Sequence, residues 1–183
     1  PMNNTTDNLN NLHTQPELQE ELKSVINFLN EIGIPVLEQE SRQESFLSGI
    51  FIDKGRILID RTRLLHPGDI LHEAGHVAVM SPYERMLSSG DLFEHIDKNA
   101  LDGYELSAIA WSYAASVFLN LPASFVFHDK GYKGDADMLI ENYEKGNYLF
   151  IPMLQYYGLC YDAKNAILHQ VEPYPHMVKW LRV

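Results

Sequence analysis

The segment His72-Glu73-Ala74-Gly75-His76 constrains the structure of this chain more than any other feature of its sequence. In an α-helix, residues four apart lie about 40° apart around the axis and about 6 Å apart along it, so both imidazoles face one side. Glu73 lies about 100° from His72, beside the imidazole pair. Two neutral ring nitrogens at this spacing suit a zinc ion, and the neighbouring carboxylate can take a proton from water. The segment therefore predicts a helix that carries a metal site.

The residues around this segment fit such a helix. It is predicted to begin near Pro67-Gly68-Asp69, where Asp69 can act as the cap, and to end at Ser81-Pro82. Its apolar residues lie opposite the histidines around the helix axis, and they are Ile70, Leu71, Ala74, Val77 and Ala78. One face is thus expected to pack into the core while the other holds a metal. The alternative is a chance pair of histidines on a surface helix.

Catalytic zinc usually takes three protein ligands and keeps a fourth position open. We expect Glu105 to be the third ligand, from a long helix predicted at about 102–120. Small residues follow it on one side of that helix, and they would let the two helices approach closely: Ala108, Ser112 and Ala115. The alternative ligands are Glu94, His95 and Asp102 in the connecting segment. Glu105 could instead be a carboxylate that stabilises the helix N-terminus through the helix dipole.

Composition limits the classes of partner. The chain has 183 residues, with 25 acidic and 14 basic side chains and a formal net charge of −11. Such a charge repels phosphate backbones, so nucleic acid is not an expected partner. No apolar run reaches the ~20 residues that span a bilayer, so no membrane partner is expected. The single Cys160 excludes an intramolecular disulfide, and no secretory signal is visible, which together predict a cytoplasmic protein.

Other segments show helix and strand patterns. Thr14 can cap a helix predicted at 16–31, with Gly33 as its stop. Two β-rich segments, 46–52 and 56–59, flank a predicted hairpin turn at 53–55. Towards the end of the chain the patterns predict a polar loop at 128–135, a helix at 136–145, a helix or strand at 148–159, and a short helix at 176–181.

The order of these elements resembles the minigluzincins, in particular the metallopeptidases of the ImmA/IrrE type. The resemblance covers about residues 15–120 and is carried by Ile57-Leu58-Ile59-Asp60, by the helix around His72 and His76, and by Glu105-Leu106-Ser107-Ala108. It implies an α+β fold with a zincin-like core, in which a small antiparallel sheet or hairpin packs on an active-site helix and a glutamate helix. It also implies that His72, His76 and Glu105 bind Zn²⁺, that Glu73 is the general base, and that the substrate is a peptide or protein.

These inferences define the predicted organisation and two functions. Residues 1–13 are predicted to be a flexible tail and 14–183 a single zincin-like domain, whose C-terminal extension is 121–183. The first function is a zinc-dependent metallopeptidase. The second is a regulatory or binding module, without peptidase activity, that retains a zinc site. The oligomeric state stays open.

Peptide hydrolysis develops negative charge on an oxygen, so a hydrogen-bond donor is expected near the metal. The candidates are Tyr83, Tyr104, His128 and Tyr157. Asp69 or Asp102 could orient a liganding imidazole, and His66 is expected to have a loop role. An apolar subsite could be formed by Phe150, Met153, Tyr156 and Tyr157, although core packing is the stronger expectation for them.

Overall fold

The computed structural model describes residues 15–41, 45, 47–89 and 97–183. The predicted tail over 1–13, the Thr14 cap, Phe46 at the start of the first strand, and the alternative ligands Glu94 and His95 all lie outside the described residues.

Helices make up most of the described chain. Their bounds are α1 Pro16–Ile32, α2 Gly68–Val79, α3 Pro82–Leu87, α4 Lys98–Phe118, α5 Ala123–Val126, α6 Ala136–Glu144, α7 Ile151–Tyr156 and α8 Ala163–His169, with a 3₁₀ turn at Tyr132–Gly134. The predicted helices at 16–31 and 136–145 are confirmed as α1 and α6, and the ambiguous segment 148–159 contains the short helix α7. None of these helices is long and apolar enough to cross a membrane.

The sheet has three strands, β1 Val36–Glu38, β2 Ile50–Asp53 and β3 Arg56–Ile59, in the order β1-β3-β2. The predicted hairpin is confirmed, because β2 and β3 pair antiparallel around a turn at 54–55. The predicted small antiparallel sheet or hairpin holds for β2 and β3 but not for the whole sheet, because β1 pairs parallel with β3 and makes the sheet mixed. The fold class is therefore α+β with a small mixed sheet.

The first hairpin strand begins later than predicted. Gly49 has φ 76° and ends a turn, and a Cβ there would lie 2.7 Å from the Asp60 carbonyl oxygen and 2.7 Å from the Leu64 amide nitrogen. The backbone of this turn therefore leaves no room for a side chain, and the extended conformation starts only at Ile50.

Helices α2 and α4 pack against each other more extensively than any other pair of elements. A Cβ added to Gly75 would lie 2.9 Å from the Ala108 carbonyl oxygen and 3.0 Å from its Cα. The expectation that small residues let these helices approach is thus confirmed, and Ala108, Ser112 and Ala115 are all buried.

Helix α4 starts earlier than the predicted 102–120. The Asp97 side chain accepts a hydrogen bond from the Asn99 amide and caps the helix, which begins at Lys98. Glu105 therefore lies about two turns inside α4, too far from its N-terminus to interact strongly with the helix dipole. This position removes the dipole alternative for Glu105.

The predicted helix at 176–181 is wrong, because its backbone groups bond to distant parts of the chain. The indole of Trp111 donates to the Trp180 carbonyl oxygen at 3.0 Å, and the Arg182 amide donates to the Ala78 carbonyl oxygen at 2.9 Å. The segment is instead irregular and lies against α2 and α4 as a strap that runs from residue 176 to Arg182. Together with the elements that precede it, it completes one cluster of buried apolar side chains that runs from Leu22 to Met177.

Candidate metal centre

Three donor groups meet where α2 faces α4. The Nε2 atoms of His72 and His76 lie 3.2 Å apart. The Glu105 carboxylate contacts both, with Oε1 3.3 Å from His72 Nε2 and Oε2 2.9 Å from His76 Nε2. The structure therefore brings together the three residues that the sequence predicted as metal ligands.

The separations of these donors match the size of a zinc site. Atoms at 2.0–2.1 Å from one ion, and at tetrahedral angles to one another, lie about 3.3 Å apart. The three observed separations, 2.9, 3.2 and 3.3 Å, are close to this value. Two imidazoles and one carboxylate are also a donor set that catalytic zinc commonly uses. The residues present fit a zinc ion.

The two helices position these donors with different exposure. The side chain of His76 is 2% exposed and that of His72 is 12% exposed, because both rings lie on the face of α2 that meets α4. The side chain of Glu105 is 49% exposed. The site is therefore closed on the α2 side and open to solvent beside Glu105.

Glu73 is the second carboxylate near the histidines. It forms a possible metal-binding group with His72 and His76, in which the ligand atoms all lie within 4.8 Å of one another. Glu105 lies closer to both imidazoles, so we assign it as the stronger ligand candidate. Burial raises the pKa of Glu73, and the two imidazoles oppose this rise only in part.

Glu105 and His72 influence each other's protonation. Burial would raise the pKa of Glu105, but hydrogen bonds to His72 and His76 outweigh it and lower this pKa well below its usual range. Burial would lower the pKa of His72, but the hydrogen bond to Glu105 and the charges of the nearby carboxylates together outweigh burial and raise this pKa. Both shifts describe the same attraction between an ionised carboxylate and an imidazole.

Asp69 does not have the roles predicted for it. The residue before α2 is Pro67, no side chain caps the helix, and Asp69 lies in its first turn. Its carboxylate bonds to His128 Nε2 at 2.7 Å rather than to a liganding imidazole. The His128 ring also stacks on His66, with 3.9 Å between the ring centroids, which gives His66 the loop role that was expected. Asp69 and His128 therefore tie the loop after α5 to the start of α2.

The other predicted side chains lie in different surroundings. Tyr104 bonds to the Glu84 carboxylate at 2.9 Å, and burial together with this bond raises the pKa of Tyr104 to about 12. The ring of Tyr157 lies under the Arg182 guanidinium at 4.2 Å. The alternative ligand Asp102 is exposed on α4. Two tyrosines point largely into solvent, Tyr83 at 71% and Tyr156 at 80% exposure.

Tyr132 is the residue near the site that the sequence did not indicate. Its hydroxyl lies 3.4 Å from His72 Nδ1, and its ring meets the His72 ring edge to face at 5.6 Å. It belongs to a loop that was predicted only as polar and glycine-containing. Because it is one of ten tyrosines and lies sixty positions from His72, no local pattern could single it out.

Cys160 is buried and is a free thiol, as expected for a single cysteine. Burial raises its pKa to about 12, so it stays protonated and unreactive at neutral pH.

No family model matches this chain, and no curated protein and no solved structure matches it either. The functional argument therefore depends on the residues of the centre and on their geometry.

Proposed function

We propose that this chain is a zinc-dependent metallopeptidase with a zincin-like core, similar to the minigluzincins. The observation that carries the proposal is the convergence of His72 Nε2, His76 Nε2 and the Glu105 carboxylate within 2.9–3.3 Å of one another. In this proposal these three residues hold one zinc ion. The substrate is a peptide or protein that approaches from the open side beside Glu105.

Glu73 is the general base of this reaction. A zinc ion held at the centre would polarise the scissile carbonyl and acidify water. The Glu73 carboxylate accepts a proton from the attacking water and delivers it to the amine nitrogen as the C–N bond breaks. Its carboxylate lies within 4.8 Å of the ligand atoms of both histidines, which is near enough to reach a water bound at the centre.

The half-exposed side chain of Glu105 favours an enzyme over a module that only retains a structural zinc site. A structural site is closed by four protein ligands, whereas a catalytic site keeps one position open. Glu105 leaves the centre accessible on one side. The adjacent carboxylate of Glu73 supplies a base that a purely structural site does not need.

Metal analysis and peptide cleavage test the proposal together. We expect one zinc per chain in the wild type, and cleavage of a generic peptide library that a chelator abolishes. His76→Ala and Glu105→Ala should lose both zinc and cleavage, because each removes one of the three donors. Glu31→Ala, which removes an exposed glutamate at the end of α1, is the matched control and should lose neither.

Each part of the proposal has its own contrary result. A wild type that takes up no zinc would refute the metal centre. Full zinc occupancy and normal cleavage in Glu105→Ala would move the third-ligand role to another residue. Stoichiometric zinc with no cleavage of any library peptide would favour the binding module over the peptidase.

A further inference from the structure

Tyr132 is held at the centre by an unusual backbone. Three consecutive residues have positive φ: Tyr132 at 57°, Lys133 at 53° and Gly134 at 91°. A bulky side chain in this region is disfavoured and persists only where surrounding contacts hold it. Here the Tyr132 ring meets the rings of His72 and Phe127 edge to face, at 5.6 Å and 5.2 Å. Strained backbone of this kind concentrates at functional sites.

The Tyr132 hydroxyl reaches the His72 ring on the side away from Glu105. It lies 3.4 Å from His72 Nδ1, whereas Nε2 of the same ring faces the Glu105 carboxylate at 3.3 Å. Tyr132 and Glu105 therefore contact the two different nitrogens of His72.

The contact with Tyr132 bears on which nitrogen of the His72 ring carries the proton. For Nε2 to bind the proposed zinc its lone pair must be free, so the proton of the neutral imidazole has to sit on Nδ1. Nδ1 then donates to the Tyr132 hydroxyl oxygen, which lies 3.4 Å away.

We infer that Tyr132 is a positioning residue that fixes the His72 tautomer and ring orientation needed to bind the metal. The inference builds on the proposed zinc centre. Groups that hold the second nitrogen of a metal-binding histidine typically contribute 10–100-fold to metal affinity. In this chain a neutral phenol takes that role, and the aspartate in the first turn of α2 is bonded to His128 instead.

Zinc affinity of the full chain tests this role. Tyr132→Phe should keep the fold and lower zinc affinity about 10–100-fold. It should also change the visible spectrum of the Co²⁺-substituted protein, because a loosely held His72 alters the ligand field. Tyr113→Phe is the matched control, since it removes a hydroxyl that lies 3.4 Å from the Tyr143 carbonyl oxygen, and it should change neither reading.

Unchanged zinc affinity and an unchanged Co²⁺ spectrum in folded Tyr132→Phe would overturn the inference. So would unchanged affinity with a large loss of turnover, because Tyr132 would then act on the substrate directly. Failure of the wild type to bind zinc is a different result, which refutes the proposed function. The contact between Tyr132 and His72 is still measurable on zinc-free protein, where identical ¹⁵N chemical shifts of the His72 ring nitrogens in wild type and Tyr132→Phe would refute it.

Discussion

Glu73 and Glu105 are both within reach of the two histidines, yet their environments assign them different chemistry. Glu105 contacts both Nε2 atoms and its pKa is lowered by these bonds despite its burial. Glu73 lies beside the His72 and His76 imidazoles, and burial raises its pKa. A ligand has to stay ionised and a general base has to exchange a proton, so the two shifts agree with the roles proposed for these residues.

Replacement of Glu73 separates these roles. Glu73→Gln should keep zinc at one per chain and keep the Tm, because glutamine has nearly the same shape and Glu73 is not a proposed ligand. Turnover of a cleavable peptide should fall by roughly 10²–10⁴, the usual contribution of general-base assistance. Zinc content, melting and turnover are measured on one preparation. A lower Tm with turnover per folded molecule intact would make Glu73 a structural carboxylate.

Asp60 at the end of β3 is a buried carboxylate outside the centre. It is 3% exposed and accepts hydrogen bonds from the Ser41 amide at 2.9 Å, from the Thr62 hydroxyl at 2.6 Å and from the Thr62 amide at 3.0 Å. The bond from Ser41 and those from Thr62 lower the pKa of Asp60, although burial acts in the opposite direction. The ionised form of Asp60 therefore stabilises the folded chain.

The acid stability of the protein should depend on Asp60. A folded-state pKa below the unfolded one gives stabilisation that is full above about pH 4 and is lost as the pH falls through the folded pKa. Asp60→Asn should lower the free energy of unfolding at pH 7 by about 1–3 kcal/mol and flatten its dependence on acid pH, as measured by urea titrations. Asp129→Asn, at an 82% exposed side chain, is the control and should change little. Equal acid sensitivity of wild type and Asp60→Asn would exclude this role.

At the scale of residues, sequence could predict only what is local. The four-residue spacing of His72 and His76 places both rings on one helix face by geometry alone, and the structure confirms this. Glu105 could be predicted because small residues follow it on its helix. Tyr132 could not, since its position depends on three positive φ angles and on contacts with residues remote in the chain.

At the scale of elements, the contact between α2 and α4 sets the distance between the histidines and Glu105. Gly75 and Ala108 are in close contact there, and a Cβ on Gly75 would lie 3.2 Å from the Ala108 Cβ as well as against its backbone. Backbone atoms cannot move aside as the end of a side chain can, so the helices themselves have to separate if Gly75 becomes larger.

Gly75→Ala should therefore weaken the centre without touching any ligand. We expect overpacking to lower the free energy of unfolding by about 1–3 kcal/mol, and zinc affinity to fall because Glu105 moves away with α4. Gly103→Ala is the matched control on α4, where the added Cβ would meet only the Met153 Cε at 3.8 Å. It should stabilise the helix by roughly 0.5–1 kcal/mol and leave zinc affinity unchanged. Wild-type zinc affinity in Gly75→Ala would show that the helix spacing does not control the centre.

The elements that sequence predicted well are those with long periodic patterns, namely α1, α2, α4 and α6. The three-residue strand β1 is too short to show a period, and its parallel pairing with β3 depends on the whole connection between them. The segment 176–181 has a helical pattern. It does not form a helix because the backbone groups in and next to it make hydrogen bonds to α2 and α4 instead. Tertiary contacts of this kind are not visible in a local pattern.

At the scale of the whole molecule, the strap and Arg182 tie the C-terminal part of the chain to α2 and α4. The Arg182 guanidinium donates to the Val79 carbonyl oxygen at 3.2 Å and to the Tyr104 hydroxyl at 3.3 Å, and it lies over the Tyr157 ring. The Arg85 side chain in turn donates to the Arg182 carbonyl oxygen at 2.7 Å. The strap thus satisfies carbonyl groups at the C-terminal end of α2.

Loss of the Arg182 side chain should lower the stability of the whole protein. Arg182→Ala removes two hydrogen bonds and a cation–π contact, so the free energy of unfolding should fall by about 1–3 kcal/mol. For a chain of this size that lowers the Tm by about 2–4 °C for each kcal/mol. Lys179→Ala removes the same charge from an exposed position of the strap and should change the Tm little. Equal Tm values for the two variants would show that the strap does not support α2.

The bond between the Arg182 amide and the Ala78 carbonyl oxygen also orders events during synthesis. A ribosome makes α2 and α4 well before it reaches residue 182, and domains fold as they emerge. His72, His76 and Glu105 can therefore meet on the nascent chain, while the Ala78 and Val79 carbonyl groups lack their bonds from Arg182 until translation reaches that residue. Assembly of the donor triangle and attachment of the end of α2 are consequently separate steps, 182 − 105 = 77 codons apart.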